Sequence, residues 1–345
     1  MSHPSHSSGW KALLWRHETL LLAVLVVEWL FFYHYGTTTN RRGMIVGFGT
    51  MDRQFDILRH SCEIGLLALA LTPVIITAGI DLSVGSLLGL CAILFGKLWH
   101  DAGLSIPVAA TLTLVLGALG GGLNAGLITG LRLPPLIVTL GTYSLFRGLA
   151  EAITHGAVTY TDFPTSFLFL GQERWFGLPT QAWLFLLVAV AIWVLVHRMT
   201  FGRSFRVIGF SPEGARYAGL PVERRVALVY ILAGLIVGLA ALIYTARLGQ
   251  AKADAGTGYE LFAITAVVLG GTSIFGGRGS VTGTLLGVAA IAVLKNGLAC
   301  LPVVMRMNAA EEMSGLLTGA LLLLALTGSI LPNILSNLRS RHQAG

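Results

Sequence analysis

The run Val226-Ala-Leu-Val-Tyr-Ile-Leu-Ala-Gly-Leu-Ile-Val-Gly-Leu-Ala-Ala-Leu-Ile-Tyr-Thr-Ala246 carries no charged side chain and is bracketed by Arg224 and Arg225 before it and Arg247 after it. At about 1.5 Å per helical residue it crosses the roughly 30 Å hydrocarbon core of a bilayer. A backbone in lipid must satisfy its amides internally, so the stretch reads as a transmembrane α-helix. Working outward, comparable apolar runs lie near 20–35, 60–79, 82–99, 104–131, 134–153, 183–197, 261–276, 281–301 and 311–331, separated by Gly, Pro, Asp or Arg clusters. With 226–246 they make ten, and ten spans of about 20 residues use roughly 200 residues, which leaves no room for a large soluble domain. The expected fold is all-α: a polytopic integral membrane protein of about ten transmembrane helices. The runs 183–197 and 261–276 are short for a full crossing, and the second leads into Phe275-Gly-Gly-Arg-Gly279, so one or more short or broken helices are expected.

Composition agrees. Of 345 residues, 54% are hydrophobic and 11% charged, with a mean hydropathy of +0.77, values that exclude soluble globular and disordered classes. The 23 Lys and Arg against 16 Asp and Glu are scattered over short loops and tails, so they read as membrane orientation and not as a nucleic-acid surface. The loop 198–225 holds Arg198, Arg203, Arg206, Arg216, Arg224 and Arg225, whereas 154–182 holds only Arg174, so the former is expected on the cytoplasmic side. Ten spans then place both termini inside: a cytoplasmic tail 1–19 with Lys11 and Arg16, a transmembrane domain 20–331 and a cytoplasmic tail 332–345 with Arg339 and Arg341. Arg41, Arg42, Arg53 and Arg59 fall on the expected outer side and are offset in part by Asp52 and Asp56.

The glycine-rich stretch Gly117-Ala-Leu-Gly-Gly-Gly-Leu-Asn-Ala-Gly126 predicts helices in close contact, because small residues let backbones approach where lipid gives no hydrophobic drive. Two short echoes, Val138–Phe146 with Val267–Phe275 and Gly85–Gly89 with Gly283–Gly287, occur in opposite order and define no continuous repeat. Cys62, Cys91 and Cys300 lie in or beside apolar stretches without CxxC spacing, and indicate neither a disulfide framework nor a metal site.

An energy source is absent from the chain. The only Gly-Lys pair, Gly96-Lys97, is followed by Leu98 inside an apolar run, so there is no phosphate-binding Walker loop, and no HExxH or GxSxG pattern suggests an enzyme. Few charged groups lie deep within spans: Glu28 and Lys295 are the clearest, with Arg147 nearer the end of its helix. Glu28 is placed to snorkel, Arg147 to reach an interface or pair with Glu151 at i+4, and Lys295, beside Asn296, to serve as a gate contact or a structural ion pair. These three motivate an ion- or proton-coupled carrier as one alternative, with a non-transporting scaffold as another.

The polar stretch 200–225 is more informative. Ser211 is placed to cap a short helix with Pro212 first and Glu213 in its first turn, while Gly219 and Pro221 stop it after about two turns. A stub helix with a defined start and stop exceeds what membrane orientation requires.

Glu213-Gly-Ala215, Gly219 and Leu220-Pro221 resemble the EAA-type loop of ATP-binding-cassette (ABC) importer permeases, with Gly214 where that pattern has alanine. Ala78-Gly-Ile-Asp-Leu-Ser-Val-Gly-Ser86, Thr200-Phe-Gly-Arg203, Gly256-Thr-Gly-Tyr-Glu-Leu261, Val268-Leu-Gly-Gly-Thr-Ser273, Gly276-Gly-Arg-Gly279 and Asn296-Gly-Leu298 narrow the resemblance to monosaccharide permeases of the ribose, xylose and arabinose type, including the autoinducer-2 and rhamnose import permeases. Relatives often have glycine at Ala78. The resemblance implies a non-catalytic permease subunit of the bacterial inner membrane, with no cofactor or metal of its own. It implies as partners an ATPase (two copies or a fused pair), a second permease chain (identical or a paralogue), a periplasmic sugar-binding protein and the surrounding lipid. Gly202, Arg203, Glu213, Ala215, Arg216 and Gly219 would couple to the ATPase, with Arg216 pairing to an acid on it. Asn124, Thr142 and Asn296 would supply polar groups to the substrate pathway, and Asp81 would sit at a helix N-terminus, stabilised by its dipole. Branched-chain amino-acid permeases share the broad superfamily and stand as the alternative cargo class.

Overall fold

A computed structural model describes residues 17–39, 45–301, 313–324 and 327. The tails carrying Lys11, Arg16, Arg339 and Arg341, and the loop positions Arg41 and Arg42, lie outside the described residues.

The chain runs through α1 (His17–Tyr35), a short antiparallel pair β1 (Thr37–Thr39) and β2 (Ile45–Gly47), α2 (Met51–Ile76), α3 (Val84–His100), α4 (Ile106–Ala125) with a π turn Gly126–Gly130, and α5 (Pro135–Thr154). There follow α6 (Thr165–Gln172), a two-residue hairpin of β3 (Arg174–Trp175) and β4 (Leu178–Pro179), α7 (Thr180–Trp193) with a π turn Val194–Arg198, α8 (Thr200–Phe210), α9 (Pro212–Tyr217), α10 (Val222–Leu248), α11 (Tyr259–Leu269), α12 (Val281–Leu298) and α13 (Met313–Leu324). Among the described residues each of the ten apolar runs holds a helix, although that of 261–276 ends at Leu269 and most of 325–331 lies outside the described residues. Among the described residues seven helices are long and apolar enough to cross a membrane; α3, α11 and α13 are shorter. The run expected to be short at 183–197 gains length from its π turn and reaches Thr180–Arg198.

The bundle is built around α2, in which every residue from Ser61 to Ile76 is buried. Its start is capped by Thr50, whose Oγ1 accepts from the Arg53 amide at 3.4 Å. Beside it runs α10, antiparallel: Arg247 meets Glu63 near one end, and Tyr230 meets Gly79 near the other. The glycine run expected to bring helices together does so between α4 and α10. A Cβ on Gly117 would strike the Gly234 carbonyl and one on Gly121 the Tyr230 carbonyl, while Gly238 backs onto Thr113 and Leu114. This two-sided glycine seam brings the two backbones into contact.

Two chain breaks give the bundle its functional shape. After α2 the chain runs without helix through 77–83 before α3, and after α10 it does the same through 249–258 before α11. At about 1.5 Å per residue, α3 and α11 extend only about 25 and 16 Å, so each falls short of a full crossing. Their first turns meet: a Cβ on Gly85 would lie 2.5 Å from the Gly256 carbonyl and also strike the Glu260 carboxylate. Because α2 and α10 are antiparallel, the units α2–α3 and α10–α11 form an inverted pair of long helix, unwound link and short helix, as in transporters with discontinuous helices. The two sequence echoes fall on α5 with α11 and on α3 with α12, which are not equivalent in this pair.

The two ends of the bundle differ. One gathers the end of α2, the α4–α5 turn, α8, α9 and the loop at Phe275–Gly279; there Gly209 packs on the Ile76 carbonyl, and the Gly277 amide donates to the same carbonyl at 2.9 Å. It is the arginine-rich end. The opposite end gathers the start of α2, α6, the hairpin and the segment 155–164, which bridges to Ala251 through the Tyr160 backbone at 2.9 and 3.1 Å. Among the described residues the arginines there are paired: Arg53 and Arg59 lie 3.9 and 3.6 Å from Asp56, and Arg174 is 2.9 Å from Asp52.

Candidate functional site

The arginine-rich end carries a two-helix elbow. α8 is amphipathic and seats Gly202, Ser204, Phe205, Ile208 and Gly209 inward. Gly202 has no room for a Cβ against the Val196 carbonyl. The turn into α9 is as the residues dictate: Ser211 Oγ accepts from the Gly214 amide at 3.0 Å, and Pro212 occupies the first helical position, where its missing N–H costs nothing. The helix ends where Gly219 takes φ +77°, with the Leu220 amide returning to the Ala215 carbonyl at 3.0 Å.

What holds the stub is Ala215, fully buried against Ile208, Leu220, Val222 and Val226. A second tie is ionic. Arg216 lies 2.8 Å from Glu223 in the first turn of α10, so the arginine expected to meet an acid on a partner is engaged within the chain. Arg225 lies 3.8 Å over the Phe201 ring and ties α10 to α8 in the same way. The outward side of the elbow presents Arg203, Glu213 and Gly219, and with them two aromatic side chains that sequence reasoning missed: Phe210, 87% exposed, and Tyr217, 92% exposed. Gly202 and Ala215 brace the elbow from inside, while the other four coupling candidates face outward or sit at its rim.

Within the bundle, two of the three pathway candidates come together. Thr142 Oγ1 donates to Asn124 Oδ1 at 2.7 Å, Asn124 Nδ2 donates to Ser83 Oγ at 2.9 Å, and Ser83 Oγ donates to Asp81 Oδ1 at 2.6 Å. This relay joins α5, α4 and the end of the unwound link before α3, and every member is buried. Asp81 also accepts from the Ser83 amide at 2.8 Å, which fits the expected place of a carboxylate before a helix N-terminus. Asn296 stands apart on α12, donating to the Ala292 carbonyl at 2.8 Å.

The main buried charge is one that sequence reasoning passed over. Glu63 on α2 accepts from Arg247 Nε and Nη2 at 2.5 and 3.0 Å, across 184 residues of chain. Lys295 lies 4.9 and 5.7 Å from the Phe262 and Tyr259 rings. Arg147 does not pair with Glu151. It donates to the Ala253 carbonyl and, at 3.1 Å, to the Ala255 carbonyl, pinning the unwound link before α11 against Gly89 of α3.

At the opposite end, Asp101 collects His100 Nδ1 at 3.0 Å, the Tyr160 hydroxyl at 2.8 Å and Lys97 Nζ at 3.1 Å. These bonds hold the Asp101 carboxyl down to about 2. Burial, and then the Asp101 carboxylate beside it, push the Tyr160 phenol up to about 12. Among the described residues no cluster of His, Cys, Asp and Glu has the makings of a metal site.

Residues 54–326 match the family described as "Branched-chain amino acid transport system / permease component". The chain is 39% identical over 319 residues to the autoinducer 2 import system permease protein LsrD of Yersinia pseudotuberculosis serotype O:1b, covering 90% of each. It is 40% identical over 270 residues to the protein of the same name from Yersinia enterocolitica serotype O:8, covering 77% of this chain and 80% of that one. Among solved structures, a metal-chelate type ABC transporter in an inward-facing conformation superposes with a TM-score of 0.47 at 16% identity, over 93% of this chain and 99% of the other. The chain belongs to this permease family, as a multi-pass component of an ABC-type import system in the bacterial inner membrane.

Proposed function

We propose that this chain forms half of the translocation pathway of an importer for autoinducer-2 or a related monosaccharide-like solute, and that a separate ATPase drives it by gripping α8 and α9 from the cytoplasm. The observation that carries this reading is the elbow. A pre-capped stub helix is fastened inward by Ala215 and by the Arg216–Glu223 pair, yet it holds Phe210 and Tyr217 out into solvent. Exposed aromatics on a rigid mount are the anchors from which protein interfaces draw most of their energy. Movement of the elbow passes through Arg216 to α10 and through the glycine seam to α4, so force on α9 reaches the core of the bundle. On this reading the ATPase acts as two copies or a fused pair, and a second permease chain completes the pathway. A periplasmic sugar-binding protein delivers cargo to the Asp101 end, and this chain performs no catalysis.

The cargo assignment rests on the names of relatives that share about two-fifths of the aligned residues. Asn124 and Thr142, and separately Asn296, are the polar groups we assign to the pathway; all are buried in this conformation, so cargo contact with Asn124 and Thr142 requires α3, α4 and α5 to part. A secondary carrier is the weaker reading for a physical reason. Carriers with discontinuous helices coordinate their coupling ion on unwound carbonyls, and here the Ala253 and Ala255 carbonyls are taken by the tethered guanidinium of Arg147.

Copurification tests the elbow. Phe210→Ala with Tyr217→Ala is expected to abolish retention of the ATPase while leaving the chain inserted, and Tyr217→Phe to preserve it. Full retention by the double alanine variant contradicts the proposed grip.

A further inference from the structure

A cavity of about 380 Å³ lies at the cytoplasmic end, between the end of α2, the α4–α5 turn, α9 and the start of α10. Small-molecule sites begin at about this size. Its walls are mostly apolar, with Leu133 and Val226 among them, but Tyr230 also lines it. The Tyr230 side chain is fully buried and its hydroxyl has no hydrogen-bond partner. A Cβ on Gly79, another lining residue, would lie 2.6 Å from that hydroxyl, so the glycine keeps the tip of the phenol clear. Buried polar groups are ordinarily paired, and one without a partner beside a cavity marks a place that a ligand atom can satisfy.

Three charged residues line the same cavity: Arg132, Arg216 and Glu223. Arg216 and Glu223 neutralise each other at 2.8 Å. Arg132 acts on the Glu223 carboxylate as well, so two arginines face one acid and the lining carries one positive charge in excess. It sits at φ +57° in the turn after α4.

We propose that this cavity is a cytoplasmic binding site for a small phosphorylated, hydroxyl-bearing solute of the sugar-phosphate class, with Arg132 holding the phosphate and Tyr230 a hydroxyl. A lipid acyl chain would fill the apolar walls but leave the phenol unmatched, which favours a soluble polyol anion over a lipid headgroup. An occupant would touch both α9 and the bundle and so restrain the elbow. That regulatory consequence rests on the coupling role proposed above; binding itself does not.

The test is equilibrium dialysis of ribose 5-phosphate against the full chain in phosphatidylcholine nanodiscs, with ribose and inorganic phosphate as separate probes. Saturable binding is expected for ribose 5-phosphate, weakened about 10-fold or more by Arg132→Gln, which removes a charged contact, and several-fold by Tyr230→Phe, which removes one oxygen and leaves packing intact. Ribose and inorganic phosphate, each able to meet only one end of the site, are expected to bind at least about 10-fold more weakly. The proposal is overturned if ribose 5-phosphate shows no saturable binding at millimolar concentration, or if both variants bind it as the parent does. It is equally overturned if only discs containing phosphatidylglycerol stabilise the protein in an Arg132-dependent way, an outcome that would assign the cavity to lipid.

Discussion

Replacing Glu63 with Gln keeps the side chain's shape and removes its charge, leaving Arg247 alone in the bundle. The Glu63 side chain is 1% exposed and that of Arg247 14%, so neither end of the pair is relieved by water. Removing one partner of a buried pair costs about 3–5 kcal/mol, chiefly from the unmatched charge that remains. The residual exposure of Arg247 places the expected loss toward the lower figure, about 3 kcal/mol, or roughly two powers of ten in the folded-to-unfolded ratio. The charge itself matters less than its being unmatched. Glu63→Gln combined with Arg247→Met is therefore expected to recover most of the loss, since apolar replacements of a buried pair are often neutral. Reversible unfolding of the purified protein in mixed micelles, run on the parent, both single variants and the double variant, measures the coupling directly. A Glu63→Gln loss below about 0.5 kcal/mol, or a double variant no better than the sum of the singles, would refute the argument that this pair is sequestered and mutually dependent.

Two further outcomes follow from local geometry. Ala78 holds φ +62°, a conformation that costs an L-residue about 1–2 kcal/mol, so Ala78→Gly is expected to stabilise the protein by up to about 1 kcal/mol after the extra freedom of glycine in the unfolded chain is counted; thermal unfolding reads it. The Asp101 carboxyl is held at about 2, below its ordinary 3.8, first by His100 and then by Tyr160 and Lys97. A depressed acid contributes stability above its ordinary value and loses it as pH falls through about 4 toward 2. Pepsin cleavage of the 155–164 segment in proteoliposomes is therefore expected to accelerate between pH 4 and pH 2, and Asp101→Asn to remove that acceleration.

What the sequence carried was local and periodic. The cap at Ser211, the stop at Gly219 and the glycine seam of α4 each depend on residues within a turn or two of one another, and each appears where its residue types require. The resemblance places glycine at the position of Ala78, and the backbone there takes φ +62°, which favours glycine. The Glu63–Arg247 pair was not legible, because no short-range pattern links residues 184 positions apart. α8 went unread although Phe201, Phe205 and Ile208 recur at helical spacing, since the run of arginines marked the stretch as a loop. α3 looked like an ordinary span because the apolar run 82–99 is nearly long enough to cross, and the meeting of its first turn with Gly256 was not legible in the sequence. For Phe210 and Tyr217, composition favours burial; their exposure follows from how α8 and α9 are fastened.

Uptake by proteoliposomes tests the central claim most directly: the chain reconstituted with its second permease chain, alone or with the copurifying ATPase, and supplied with the sugar-binding protein and autoinducer-2. The account predicts accumulation only when both the ATPase and ATP are present. Accumulation by the permease chains without ATP, driven by an imposed ion gradient, would contradict it.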